Sequence, residues 1–283
     1  MPTLRDAWQK VQKSLENAPF LVAPREGQAM VTHLCGLAPR DLLARAHTPF
    51  PEELAYHLDR LLARRMTGEP LAYVLGHTPF RTHDWQVVAP SGRVLIPRPD
   101  TEILIAEALL VMPRAGGRVA DIGVGSGCVL GSVLDEAPTA RGVGTDISAV
   151  ALALAAHNLS RLGLAHRTQL VATPFLDGVD GPFDVIVSNP PYLSDADYDA
   201  LEPQVRDWEP RDALVGGPTG TEPYPLLAAQ AHAKLQPGGW LLVEIGATQA
   251  VAVEGILRGA GFAAVATRPD LAGRPRVVKG QKI

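Results

Sequence analysis

From residue 118 onward the chain alternates short apolar runs with helical stretches, and no other feature limits the fold as strongly. The runs at 118–122, 141–145, 168–172, 183–188, 240–245, 262–267 and 276–279 have the length and character of strands. Between them, 128–136, 148–162, about 222–235 and about 248–259 carry helical patterns, with Ser148 placed as an N-cap. Strands separated by helices imply a mostly parallel sheet with right-handed crossovers. The expected architecture is α/β, with seven mostly parallel strands. In open sheets of this kind ligands sit beyond the carboxyl ends of the strands. The residues that follow each strand are therefore the ones to read for function.

The earlier part of the chain has a different pattern. Leu4, Ala7, Trp8, Val11 and Leu15 share one face of a helix over 3–17, and two shorter helices are expected over 25–36 and 39–46. Over 51–67, Leu54, Leu58, Leu61, Leu62 and Met66 form a stripe between Pro51 and Gly68, which suit a helix start and stop. Residues 1–75 thus read as a small helical bundle. Residues 76–97 place Phe80, Trp85, Val87, Val88, Val94, Leu95 and Ile96 around Pro90-Ser91-Gly92 and read as a β-hairpin connector. Residues 98–283 form the α/β domain, with Asp100 or Thr101 placed to cap a helix from Glu102. Arg98 and Glu102 could instead rim a site. His33, His47 and His57 lack the spacing of metal ligands, and no metal is expected.

Charge excludes one broad class. Residues 1–85 hold 10 Lys+Arg and 9 Asp+Glu, and the remainder hold 16 and 21. Neither part has the basic surface that clamps nucleic-acid phosphates, so stable nucleic-acid binding is not expected. No apolar run reaches the ~20 residues of a membrane span, and the first residues lack a secretory apolar core. Cys35 and Cys128 stand far apart without a CxxC neighbour. A cytoplasmic location with reduced thiols is the expectation.

Three strand ends carry chemistry. Gly123-Val124-Gly125-Ser126-Gly127 lets backbone approach a ligand between strand and helix. Its spacing is G-x-G-x-G, not the G-x-G-x-x-G of dinucleotide folds, and no Lys-Ser/Thr of a P-loop follows. Asp146 ends the next strand, where a carboxylate can accept from both ribose hydroxyls. A nucleoside without a pyrophosphate suits these residues, and S-adenosylmethionine is one. Asp121 could face the amino-acid end of such a ligand or simply order the loop. Then Asn189-Pro190-Pro191-Tyr192 closes the strand at 183–188. Neither proline can donate a ladder hydrogen bond, which leaves carbonyls free. The Asn189 side-chain oxygen and the Pro190 carbonyl, side by side, can accept both hydrogens of a planar amino group, against the flat face of Tyr192. Alone, these four residues read equally as a rigid turn. In order with the glycine loop and Asp146 on successive strands, they read as a site.

The pattern at 121–127, Asp146 and 189–192 resembles class I S-adenosylmethionine-dependent methyltransferases that act on a planar amino nitrogen. Further stretches narrow the resemblance. They are Gly68-Glu69-Pro70-Leu71-Ala72-Tyr73 with Gly76 and Phe80, Leu95-Ile96-Pro97-Arg98-Pro99-Asp100-Thr101-Glu102, Glu209-Pro210-Arg211-Asp212-Ala213-Leu214 with Gly216-Gly217, and Leu271-Ala272-Gly273-Arg274. With the helical N-terminal part, they make essentially the whole chain resemble the HemK/PrmC family. The resemblance implies a Rossmann-like class I methyltransferase fold. It implies methyl transfer from S-adenosylmethionine, leaving S-adenosylhomocysteine, to the N5 amide nitrogen of the glutamine in the Gly-Gly-Gln loop of class I peptide chain release factors. Cofactor contacts are implied for Gly123, Val124, Gly125, Ser126, Gly127, Asp146, Ile147, Thr173, Pro174 and Asn189. Substrate contacts are implied for Asn189, Pro190, Pro191 and Tyr192, and the catalytic role for Asn189, Pro190 and Tyr192. The helical bundle is left to bind the release factor. Two departures stand out: Thr173-Pro174 replaces an acid followed by a large residue, which leaves backbone groups and the Phe175 ring to meet adenine, and Pro275 stands where an acid is common.

Three rival readings are open to the same residues. An adenine N6-methyltransferase of DNA or RNA uses the same turn on a flipped base, but calls for a basic groove. A nicotinamide oxidoreductase calls for different glycine spacing. A non-catalytic S-adenosylmethionine-binding scaffold would not require the turn at 189–192.

Overall fold

In the computed structural model, which describes residues 1–283, the chain opens with α1 (Leu4–Leu15). The Thr3 hydroxyl accepts from Asp6 N at 3.2 Å, and Asp6 Oδ2 accepts from Thr3 N at 2.8 Å, so two orphan donors are satisfied reciprocally. α2 (Glu26–Cys35), α3 (Pro39–Ala44), α4 (Ala55–Met66) and α5 (Leu71–Leu75) follow. Leu4, Val11, Leu15, Met30, Leu42 and Leu58 meet in their shared core. The stretch 51–67 is a 3₁₀ turn (Glu52–Leu54) leading into α4, not one helix from Pro51. α5 was not expected, since five residues are too few to display a period. This unit comprises Met1–Gly76 together with Glu202–Trp208 from much later in the chain. Buried Arg65 holds that late segment: it pairs with Glu26 at 2.6 Å and donates to Gln204 Oε1 at 2.9 Å. A buried guanidinium needs such partners on all sides.

The second unit comprises His77–Leu201 and Glu209–Ile283. It begins with two hairpins where one was expected. β1 (His77–Phe80) pairs with β2 (His83–Gln86), and the two-residue strands β3 (Val88–Ala89) and β4 (Gly92–Arg93) pair around Pro90-Ser91. Trp85 is fully buried, and its indole donates to Phe80 O at 3.1 Å. Asn158 clamps the second strand: its Oδ1 accepts from Gln86 N at 3.0 Å and its Nδ2 donates to Gln86 O at 2.9 Å.

A 3₁₀ turn (Pro99–Thr101) leads into α6 (Glu102–Val111). The expected side-chain cap is not made, because both candidates are engaged elsewhere. Asp100 pairs with Arg276 at 3.0 Å, and the Thr101 hydroxyl accepts from Asn189 at 3.4 Å. Then come β5 (Arg118–Ile122), α7 (Cys128–Glu136), β6 (Arg141–Asp146), α8 (Ala149–Arg161), β7 (Thr168–Ala172) and β8 (Phe183–Ser188). β9 (Leu193–Ser194), α9 (Asp195–Asp199), α10 (Pro203–Arg206, in the first unit) and β10 (Val215–Gly217) follow, with β9 and β10 in a short parallel pair. The chain ends with α11 (Pro223–Lys234), β11 (Leu235–Glu244), α12 (Ala250–Gly259), β12 (Phe262–Pro269) and β13 (Pro275–Lys282). β11 starts five residues before the expected strand, with an irregularity between Leu235 and Trp240 where Pro237-Gly238-Gly239 lies.

The seven strands run in the order β12-β13-β11-β8-β5-β6-β7, and β13 alone runs opposite to the other six. Alternate residues supply two apolar layers. Val119, Val185, Val187 and Leu242 line one face; Ala120, Ile186, Leu241 and Val243 line the other. From β5 the sheet grows one way through β6 and the other way through β8. That reversal opens a crevice at the carboxyl ends of β5 and β8. No helix is long and apolar enough to cross a membrane.

Candidate active site

The glycine loop leaves β5 at the crevice. Gly123, Gly125 and Gly127 have φ of 76°, 53° and 83°, a region that side chains with a Cβ resist. Gly123 N and Val124 N donate to Thr145 O at 2.8 and 2.9 Å, which folds the loop over the end of β6. A Cβ built on Gly123 would meet nothing within 4 Å, and one on Gly125 would meet only Gly123 O at 4.0 Å. The edge of the loop at these two residues is therefore open. A Cβ on Gly127 would press on Ala155 Cα at 3.2 Å, so this glycine serves the approach of α8. Val124 and Ser126 are buried, and Ser126 O accepts from Asn158 Nδ2 at 2.9 Å.

Asp146 ends β6 beside the loop. Its Oδ2 accepts from Gly125 N at 3.0 Å and its Oδ1 from Ser148 N at 2.9 Å. Each oxygen keeps acceptor capacity for a ligand. Ile147 next to it is 71% exposed. At the end of β7, Thr173 N donates to Asp146 O at 3.2 Å and the Thr173 hydroxyl to Asp177 O at 3.0 Å. Pro174 is exposed, and the Phe175 ring packs partly buried against an apolar layer of the sheet. The cofactor residues expected at 123–127, 146, 147, 173 and 174 thus lie at the ends of three adjacent strands. Asp121 is buried, and its Oδ2 accepts from Leu130 N at 3.1 Å. Burial pushes its carboxyl up to about 8, helped by the Asp146 charge and opposed by that N–H. It orders the first turn of α7.

The turn at 189–192 leaves β8 on the other side of the crevice. Ser188 Oγ donates to Ile122 O at 2.8 Å, tying the ends of β8 and β5 together. Asn189 is half-buried, Pro190 buried, and Pro191 and Tyr192 half-buried. Tyr192 O accepts from Gln249 Nε2 at 2.8 Å, and Leu193 N donates to Leu214 O at 2.9 Å. A Cβ on Gly216 would lie well inside contact distance of the Pro191 carbonyl oxygen, and one on Gly220 would do the same to the Tyr192 carbonyl. The glycines at 216 and 220 therefore let the 214–220 segment back the turn closely. Arg98 pairs with buried Glu209, whose Oε2 also accepts from Ile96 N at 3.1 Å. This joins two of the stretches singled out in the sequence, and Arg98 acts there as an anchor. Glu102 lies half-buried at the start of α6.

Beneath the turn lies a polar cluster that sequence reasoning did not find. Val243 of β11 pairs with Ser188, so Glu244 and Asn189 leave the sheet side by side. Glu244 is 1% exposed, and no hydrogen bond reaches its Oε2. Burial pushes its carboxyl up to about 7, against the Thr101 hydroxyl, Arg276 and the Tyr192 phenol, which favour the ionised form, while Asp100 adds to the rise. Burial first, and then Glu244, push the Tyr192 phenol up to about 12. The signal in the sequence was a lone glutamate at the end of the Leu241-Leu242-Val243 run. Nothing local tied it to Thr101 or Arg276.

The two halves of the crevice suit a nucleoside without phosphate on one side and a planar amino group on the other. Residues 121–127 and 146–148 contain no Lys or Arg to bind a phosphate. The open edge at Gly123 and Gly125 and the fixed Asp146 carboxylate match the nucleoside part of S-adenosylmethionine.

Comparison with known proteins gives the same picture. The Methyltransferase small domain family matches residues 100–205, and the PrmC N-terminal domain family matches residues 6–76. The chain is 42% identical to the release factor glutamine methyltransferase of Rhodospirillum rubrum, over 91% of this chain and 78% of that one. Against the protein of the same name from Cereibacter sphaeroides it is 39% identical, over 98% and 97%. Against that of Geobacter sulfurreducens it is 43% identical, over 95% and 92%. Among solved structures, a methyltransferase from Pyrococcus furiosus aligns with a TM-score of 0.52 at 20% identity, over 70% of this chain and 90% of that one. The Thermus thermophilus 16S rRNA N2 G1207 methyltransferase, in complex with AdoMet and guanosine, aligns with a TM-score of 0.52 at 17% identity, over 73% and 50%. At such identities the structures share the fold alone.

Proposed function

Because the chain belongs to the release factor glutamine methyltransferase family, we propose that it methylates the side-chain amide nitrogen of the glutamine in the Gly-Gly-Gln loop of class I release factors. The observation that carries this reading is the pairing of β5 with β8, which sets the open glycine loop and the Asn189-Pro190-Pro191-Tyr192 turn on either side of one crevice. The residues at 123–127, Asp146, Ile147, Thr173 and Pro174 would hold S-adenosylmethionine, which would supply a methyl group on a sulfonium centre.

The nucleophile is an amide nitrogen whose lone pair is delocalised into its carbonyl. Asn189 Oδ1 and the Pro190 carbonyl accept its two hydrogens. They turn the lone pair toward the methyl and favour the positive charge that grows on nitrogen as it leaves planarity. These contacts strengthen in the transition state, where they count toward rate, and orientation supplies much of the rest. Tyr192 lies against the amide plane. The helical unit gives the release factor the further contact area that a protein substrate needs, on the order of 800 Å² per partner. The protein works in the cytoplasm, where release factors act. The test is to offer S-adenosylmethionine with a labelled methyl together with either a release factor or DNA and RNA. Label in the release factor alone is expected; label in nucleic acid would overturn the reading.

A further inference from the structure

The two arms of the Asn189 carboxamide are nearly equal in size, and only hydrogen bonds decide which one meets a substrate. To hold an –NH2 group, the oxygen must face it; a flipped carboxamide would oppose donors to donors. Here Asn189 Nδ2 donates to Thr101 Oγ1 at 3.4 Å. Thr101 is 2% exposed and lies in the 3₁₀ turn ahead of α6. Having accepted from Asn189, its hydroxyl directs its own proton elsewhere. The acceptor left open on this side of the turn is the Glu244 carboxyl, which the pairing of Val243 with Ser188 brings out of the sheet next to Asn189. Glu244 is held near Asn189 by the β11–β8 register and by burial, and its buried Oε2 has no hydrogen-bond partner, so it is open to that proton. When ionised, as at the alkaline pH of the test below, this carboxylate has no proton to give, so the series of donors then runs in one direction only. We propose that Thr101 and Glu244 are positioning residues for methyl transfer, acting in series to keep the Asn189 oxygen toward the substrate amide. This rests on the role given to Asn189 above.

The test compares Thr101→Val, which loses the hydroxyl at nearly constant shape, with Thr101→Ser, which keeps it. Single-turnover transfer to a release factor is measured at pH 8 with saturating S-adenosylmethionine, alongside cofactor affinity by calorimetry. Thr101→Val should slow transfer about three- to tenfold, the effect of one hydrogen bond, with cofactor affinity and KM for the release factor unchanged. Thr101→Ser should recover to within about twofold of the parent. In an Asn189→Ala background, Thr101→Val should slow nothing further, since the two residues act through one contact. A second readout needs no turnover. In ¹⁵N-labelled protein the Asn189 side-chain NH2 signals, identified by their loss in Asn189→Ala, should exchange with solvent faster in Thr101→Val and not in Thr101→Ser. If Thr101→Val fails to fold, Glu244→Met in the same cycle decides. Parent-like transfer by the variant, or an equal slowing in the Asn189→Ala background, overturns the proposal. Parent-like transfer by Asn189→Ala itself would instead overturn the reading of Asn189 on which it rests.

Discussion

Replacing Glu244 with Gln should stabilise the protein at alkaline pH and leave that advantage behind in acid. The Glu244 carboxyl is buried under the turn at 189–192. It faces Arg276 from β13, Asp100 and Thr101 from the 3₁₀ turn, and the Tyr192 phenol, while Tyr224 of α11 donates to its backbone carbonyl at 2.9 Å. The net result is a carboxyl raised from an ordinary 4.5 to about 7. A folded chain that binds this proton more tightly than the unfolded one is stabilised by it. That contribution is fully present below about 4.5 and is lost as pH rises through about 7. At about 1.4 kcal/mol per pH unit, the loss is about 3 kcal/mol by pH 8. Gln is neutral throughout and escapes it. Urea unfolding of both proteins at steps between pH 4.5 and pH 8 should show the stability of Glu244→Gln, relative to the parent, rising by about that amount. A flat difference, or one that rises toward acid, would refute the assignment of a desolvated carboxyl at this position.

Three further outcomes follow from the site. Asp146→Ala should weaken S-adenosylmethionine binding by about 1.5–3 kcal/mol, as for hydrogen bonds to a charged group; an unchanged Kd by calorimetry contradicts it. Asn189→Ala should slow single-turnover transfer at saturating cofactor ~10²–10³-fold, with Asn189→Asp between Ala and the parent; an Asp variant slower than Ala would remove the acceptor role. Gly216→Ala would drive its Cβ into the Pro191 carbonyl oxygen, and should lower stability by about 1–3 kcal/mol while slowing transfer by shifting the turn. Unaltered melting and unaltered rate would show that the turn does not depend on this approach.

Much of the second unit was legible because parallel strands buried on both faces leave continuous apolar runs. The expected strands at 118–122, 168–172 and 183–188 and the helix at 128–136 match the observed bounds. Asp146 and Asn189 could be placed for the same reason, since each closes such a run. Short elements were harder. The 3₁₀ turn at Glu52–Leu54, α5 and the β9–β10 pair are held by tertiary contacts and carry no period. The two hairpins were merged into one because Pro90-Ser91-Gly92 is a strong turn signal and Arg81-Thr82 is not. Thr101 fits a helix cap in the local sequence, yet its hydroxyl turns to Asn189, 88 residues away. The association of Glu244, Arg276 and Asp100 escaped notice for the same reason: it depends on strand order, and a sequence displays that order only weakly. The membership of Glu202–Trp208 in the helical unit likewise rests on Arg65 and Gln204, which no local pattern connects.

The most direct test of the central claim is chemical. The protein is incubated with S-adenosylmethionine and an unmethylated class I release factor, and the release factor is then digested and sequenced by peptide mass spectrometry. A single methyl group on the side-chain amide of the glutamine in the Gly-Gly-Gln peptide, sharply reduced with Asn189→Ala, is the predicted result. A methyl group on any other residue, or an unmodified Gly-Gly-Gln peptide from an enzyme that binds its cofactor, would contradict the account.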